Sequence, residues 1–236
     1  TTDIYTLSLH DALPISLRFF ASGKQSADDI TKLLTDIKQG NCPFLAPESR
    51  VDFFSYSIGA FLAQILFLAN PAGLLTNSML FLFCGGALFD EMRGTSRLIM
   101  DSDAYASLRR YYLKDFDKEL QEKTPFSAYF METPMGSAFR AMLSYETNKK
   151  IREARFLELK DQIRIISLKN DKVIASNYIQ STFECIKSKM KGLVQELDFA
   201  FDYSHEIPFP VNNAKIFPAV NKAFDDIFAP AIAFLK

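Results

Sequence analysis

The chain has 236 residues, 48% of them hydrophobic and 23% charged. It is long enough to close a core, and these are globular proportions, so neither disorder nor a coiled-coil repeat is its main character. A net charge of −1 supplies no field for nucleic acid or an anionic membrane. Cys42, Cys84 and Cys185 are odd in number and lack C-x-x-C spacing, which argues against a disulfide framework or a zinc cluster and for a reducing, cytoplasmic location.

Thr1 to Ser16 reads TTDIYTLSLHDALPIS and resembles, almost residue for residue, the conceptual translation of a short-read sequencing adapter. Residues 1–16 are therefore set aside as non-native. The native chain is expected to start near Leu17 and to be truncated on its N-terminal side, and His205 becomes the one histidine to consider. Three further regions are expected: a core over 17–89, a helical insertion over 90–160 and a second stretch of core over 161–236.

Ser26-Ala27-Asp28-Asp29 has capping chemistry and predicts a helix start, with Ile30, Leu33, Leu34 and Ile37 at helical spacing and Gly40 as the stop. Val51 to Phe54 reads as a strand. Phe61 to Ala69 follows as an apolar helix, ended by Asn70-Pro71. Met79 to Cys84 is a second strand, closed by Gly85-Gly86. From Asp90 to about Lys160 the chain turns charged and helical, with breaks at Pro125 and Pro134. Ile163 to Leu168 predicts a strand, Asn177 to Lys191 a helix, Leu193 to Phe201 a strand and Asn213 to Leu235 a final helix. Apolar strands alternating with helices predict an α/β fold with a mostly parallel sheet.

The chemistry centres on Ser55-Tyr56-Ser57-Ile58-Gly59-Ala60, between a strand and an apolar helix. A serine on a sharp strand-to-helix turn stands clear of the sheet, and so tight a turn calls for small neighbours, here Ser55, Gly59 and Ala60. The helix behind Ser57 aims its first amide, Ile58 N–H, at a developing oxyanion. Serine needs a base, itself oriented by a third group. His205 precedes the last helix and is the candidate base. Asp171, just after the Ile163 to Leu168 strand, is the candidate acid, and Asp90 is the alternative. Cys84, within an apolar strand, reads as core.

This order of serine, acid and histidine, with the elbow, the Asn170-Asp171-Lys172-Val173-Ile174 stretch and the Asp202-Tyr203-Ser204-His205-Glu206 loop, resembles the α/β-hydrolase superfamily. Ser55 stands where that family's G-x-S-x-G motif has its first glycine. The resemblance implies a partial hydrolase fold entered just before its nucleophile strand, with the helical insertion as cap. It implies a serine hydrolase with a Ser57-His205-Asp171 triad, no cofactor, no metal and a small-molecule ester or acyl substrate. The family's second oxyanion amide comes from a loop upstream of the elbow, which is expected to be missing here. Losing such a donor costs about 2.7–4 kcal/mol in the transition state, so the fragment is expected to be poorly active or inactive. Tyr105, Tyr111, Tyr112, Phe126, Tyr129 and Phe130 are candidates to line an acyl pocket.

Two other readings compete. A hydrolase-fold protein without catalysis would serve as a binding module. The charge-free stretch from Phe53 to Phe89 could form a membrane hairpin, but each arm is shorter than the roughly 20 residues a span needs.

Overall fold

The computed structural model describes residues 12–96, 98–187 and 193–236. Four strands, β1 (Phe53–Tyr56), β2 (Leu80–Phe83), β3 (Ile163–Leu168) and β4 (Val194–Leu197), form one sheet in the order β1-β2-β3-β4. Every neighbouring pair is parallel. A parallel pair needs a crossover, and here the crossovers are helical. Helix α2 (Ile58–Ala69) joins β1 to β2, and α8 (Ser176–Thr182) with α9 (Glu184–Lys187) lies between β3 and β4. The charge-free stretch is thus divided into β1, α2 and β2. Among the described residues no helix is long and apolar enough to cross a membrane.

The register assigns the two faces of the sheet. Leu80 pairs with Ile163 and Leu82 with Ile165, and these side chains join the main core with Phe61, Leu66 and Phe67 of α2. Phe81, Phe83, Ile166 and Leu168 point the other way, where α10 (Phe217–Leu235) covers them. The buried stripe of α10, Val220, Ala223, Ile227 and Ala231, recurs every three or four residues, as an amphipathic helix requires.

Between β2 and β3 the chain is helical. The insertion contains α3 (Ser102–Arg110), a π-turn over Tyr111–Asp115, α4 (Phe116–Glu119), α5 (Pro125–Glu132), α6 (Pro134–Ala141) and α7 (Lys149–Glu158). Pro125 and Pro134 are first residues of helices, each preceded by a threonine whose hydroxyl accepts a backbone N–H, Thr124 from Ser127 and Thr133 from Gly136. Both prolines start helices because the missing N–H falls where no intrahelical bond would form. The insertion shares its core with α1 (Ala12–Lys38) and α2: Phe20, Phe116, Phe130 and Phe139 bury one another.

One helix start needs correction. Ser26 does not open α1, which begins at Ala12. Its hydroxyl instead donates to the Ser22 carbonyl one turn back, the alternative that serine takes inside a helix. Of the segment expected to be non-native, residues 1–11 lie outside the described residues, His10 among them. Ala12 to Ser16 form the first turns of α1, and the Ser16 carbonyl accepts the Tyr112 hydroxyl at 2.7 Å. The expected strand to Phe201 stops at Leu197, and Phe199 and Phe201 stack on each other in the following loop. The end of the expected Asn177 to Lys191 helix lies outside the described residues.

Candidate active site

Ser57 sits between the end of β1 and the first residue of α2 with φ 54° and ψ −125°. A serine in that region is strained, and surrounding structure must hold it there. Its N–H reaches the Phe83 carbonyl, and its own carbonyl accepts from Ala60 and Phe61. The turn therefore bonds forward into α2 and sideways to β2.

The small residues expected around the turn divide into two groups. Ser55 is buried on the core face of β1. Ala60 is wholly buried, and a Cβ added at Gly85 would lie 2.2 Å from the Ala60 Cβ. The close approach is thus between the first turn of α2 and the Gly85 backbone after β2. Gly59 departs from the expectation, because a Cβ there would meet nothing within 4 Å. Its outer side faces a cavity.

Ser57 Oγ lies 2.6 Å from His205 Nε2, and His205 Nδ1 lies 2.7 Å from Asp171 Oδ2. A carboxylate only accepts, so Nδ1 carries the proton and Nε2 is left to accept from the serine hydroxyl. The other Asp171 oxygen, Oδ1, accepts the amides of Val173 and Ile174 at 2.8 and 2.9 Å. Asp171 and His205 are both 3% exposed, so their hydrogen bonds act with little competition from water. Asp171 owes its position to the turn chemistry of Asn170-Asp171 directly after β3. The turn is tied to the histidine loop by Tyr203, whose hydroxyl accepts from Asn170 N–H and donates to Asp198.

The alternative acid, Asp90, is placed elsewhere. It follows β2, its N–H donates to the Leu143 carbonyl, and its own carbonyl accepts from Arg109. Its Oδ1 has no hydrogen-bond partner. Burial raises its carboxyl above the ordinary range, opposed in part by Arg109. The imidazole contacts Asp171 and not Asp90. Cys84, between β2 and Gly85, is fully buried. Desolvation and the Asp171 carboxylate beside it push its thiol well above the ordinary value, so it is held protonated and is no thiolate nucleophile.

Tyr56 is the contact that chain order did not single out. Its ring stacks on the His205 imidazole, with centroids 5.4 Å apart and planes at 18°, and its hydroxyl donates to the His205 carbonyl. The one available signal was period-two alternation, which places Tyr56 on the strand face opposite Ser55.

A cavity of about 610 Å³ opens between α1, α2 and the insertion, lined by residues including Phe20, Ile58, Gly59, Leu62, Met135 and Phe139. Ile58 and Gly59 directly follow Ser57. Of the six aromatic residues expected to line an acyl pocket, Tyr129 does. Tyr111, Tyr112 and Phe130 are packed into the core, Phe126 is half-buried against it, and Tyr105 donates its hydroxyl to the Met92 carbonyl. No group of metal-ligating side chains occurs among the described residues.

A parallel sheet with flanking helices, carrying a hydrogen-bonded serine, histidine and aspartate beyond its carboxyl ends, defines an α/β protein with a candidate nucleophile site. Residues 10–236 match the Family of unknown function (DUF6051), and the chain belongs to that family. No curated protein and no solved structure matches it.

Proposed function

We propose that this protein is a serine hydrolase of the α/β-hydrolase type that transfers an apolar acyl group from an ester to water. The observation that carries the reading is the unbroken relay from Ser57 Oγ through both nitrogens of His205 to Asp171, set on a strained strand-to-helix turn. In the proposed reaction Ser57 Oγ attacks the ester carbonyl carbon while His205 Nε2 takes the hydroxyl proton. The carbonyl π pair moves to oxygen, and the Ile58 N–H at the start of α2 faces the resulting oxyanion. The carbon–oxygen bond to the alcohol then breaks, and the alcohol leaves with the proton from His205. Water, deprotonated by the same nitrogen, attacks the acyl-serine, and collapse returns Ser57 and releases the acid. Asp171 keeps the imidazole in the required tautomer throughout.

The substrate class follows from the cavity beside Ile58 and Gly59. Its volume falls within the roughly 300–1,000 Å³ of small-molecule sites, and its aliphatic and aromatic walls suit a hydrocarbon acyl chain. The test is labelling with a fluorophosphonate probe together with hydrolysis of p-nitrophenyl esters of increasing acyl length. Labelling that Ser57→Ala abolishes, with kcat/KM rising from acetate to longer chains, supports the proposal. A folded protein that neither labels nor hydrolyses any ester overturns it and leaves the binding-module reading.

A further inference from the structure

We infer that Tyr56 is a positioning residue for His205, holding the imidazole by its ring and the histidine loop by its hydroxyl. The inference rests on the serine-hydrolase reading but concerns a residue outside the relay. His205 lies in a segment with no helix or strand, between β4 and the turn that begins at Ala214. Its backbone is therefore not fixed by secondary structure, and its ring needs side-chain supports. The relay supplies two, at the edge of the imidazole. Tyr56 supplies the others, with one flat face on the imidazole and one hydrogen bond to the His205 carbonyl.

Tyr56 is itself held rigidly. It is the last residue of β1, paired in register with Phe83 of β2, and their rings stack at 5.6 Å with planes 29° apart. Phe209, four residues beyond His205, stacks in turn on Phe83 with ring centroids 5.9 Å apart. The sheet and the loop thus share an aromatic layer that begins at the imidazole and returns to the loop that carries it. Burial, with the carboxylates of Asp171 and Glu206 and the Cys84 thiol nearby, raises the Tyr56 hydroxyl well above its ordinary value, so it stays a donor across the working pH range. An aromatic face against the imidazole also favours the cation formed when His205 takes the serine proton. Because Tyr56 and Ser57 are adjacent in the chain, the nucleophile and the base are registered from a single strand end.

The test uses Tyr56→Phe and Tyr56→Leu in the full chain, with p-nitrophenyl ester kinetics and proton NMR of the downfield Nδ1–H of His205. The chain has 2 histidines, so the signal is assigned by His10→Gln. We expect Tyr56→Leu to lower kcat roughly 10- to 100-fold with KM within about twofold and to lose the downfield signal through faster exchange. Tyr56→Phe keeps the stacked ring and is expected to recover most of that loss, with kcat roughly three- to tenfold below the parent and the signal retained but broadened. Parental kcat and an unchanged signal in Tyr56→Leu overturn the inference, as does a defect confined to KM. Should the leucine variant not fold, Tyr56→Phe decides alone: parental kcat with an unbroadened signal overturns the role. Failure of the hydrolase reading is separable, because the parent chain itself would then show neither turnover nor labelling.

Discussion

Asp171 and Asp90 lie beyond the carboxyl ends of two neighbouring parallel strands, β3 and β2; Asp171 is buried and Asp90 half-buried. Asp171 has each oxygen occupied, Oδ1 by two backbone amides and Oδ2 by His205 Nδ1. Asp90 has an oxygen with no partner and a carboxyl raised by burial. A shielded carboxylate orients a base only when backbone donors have already fixed its own direction. Position at the sheet rim supplies the opportunity at both strands. The turn that follows the strand decides which one can use it: the Asn170-Asp171 turn satisfies Oδ1 with two of its own amides and leaves Oδ2 aimed at the imidazole, which Asp90 does not reach.

The sharpest way to break this contrast is Asp171→Asn. The amide side chain preserves volume but presents its NH₂ to the imidazole or loses the amide bonds at Oδ1, and either outcome favours the wrong tautomer. We expect kcat to fall roughly 10⁴-fold, with the fold intact by circular dichroism. A loss below tenfold would place the orienting group elsewhere.

Next in size is an effect on the Asp90 side of the rim that touches stability and not chemistry. Arg152 is 1% exposed, and its guanidinium donates to the carbonyls of Ala141, Ser144, Tyr145 and Thr147. This organises the loop whose Leu143 carbonyl receives Asp90 N–H. Arg152→Met leaves several carbonyls without a donor, and we expect about 2–4 kcal/mol of lost stability in urea unfolding. The Michaelis constants of the surviving folded enzyme should match the parent.

Much of the parallel α/β arrangement was legible because its two central strands are short, buried on both faces and therefore mostly apolar: Leu80 to Phe83 is apolar throughout, and Ile163 to Leu168 is broken only by Arg164 and Ser167. The residues that meet at the site were legible by chain order, since Ser57, Asp171 and His205 each directly follow a predicted strand. What escaped were features set by packing. Ser26 carries cap chemistry, but α1 runs through it because Phe20 and Ala27 are buried on one side of a single long helix. The insertion's aromatic residues read alike in sequence, yet Phe130 packs into the core while Tyr129 reaches the cavity. Tyr56 looked like the variable position of a motif because nothing local shows that a residue 149 positions later places its carbonyl within reach.

Gly85 tests whether crowding at the elbow comes from the β2 side. Its added Cβ would overlap that of Ala60, so Gly85→Ala should cost about 1–3 kcal/mol and lower kcat by displacing the first turn of α2. Ala60→Gly in the same background should restore both. Failure of the second change to rescue the first would mean that the crowding does not come from the Ala60 side chain but from the backbone beside it, where the added Cβ would lie 3.4 Å from the Ser57 carbonyl oxygen.

The smallest expected effect bears most directly on the contrast between the two carboxylates. Burial raises the Asp90 carboxyl, so the folded chain binds that proton more tightly than the unfolded chain does. The stabilisation this gives is complete below the unfolded value and is withdrawn as pH rises through the raised one. At neutral pH the ionised Asp90 is therefore a net cost that Asp90→Asn removes. We expect the variant to unfold about 1–3 °C higher than the parent at pH 7.5, with the gain shrinking toward zero as pH falls into the ordinary carboxylate range, and with kcat within about twofold of the parent. A kcat loss comparable to that of Asp171→Asn would show that both strand ends feed the imidazole. A stability gain that persists in acid would assign the effect to packing and not to the carboxyl charge.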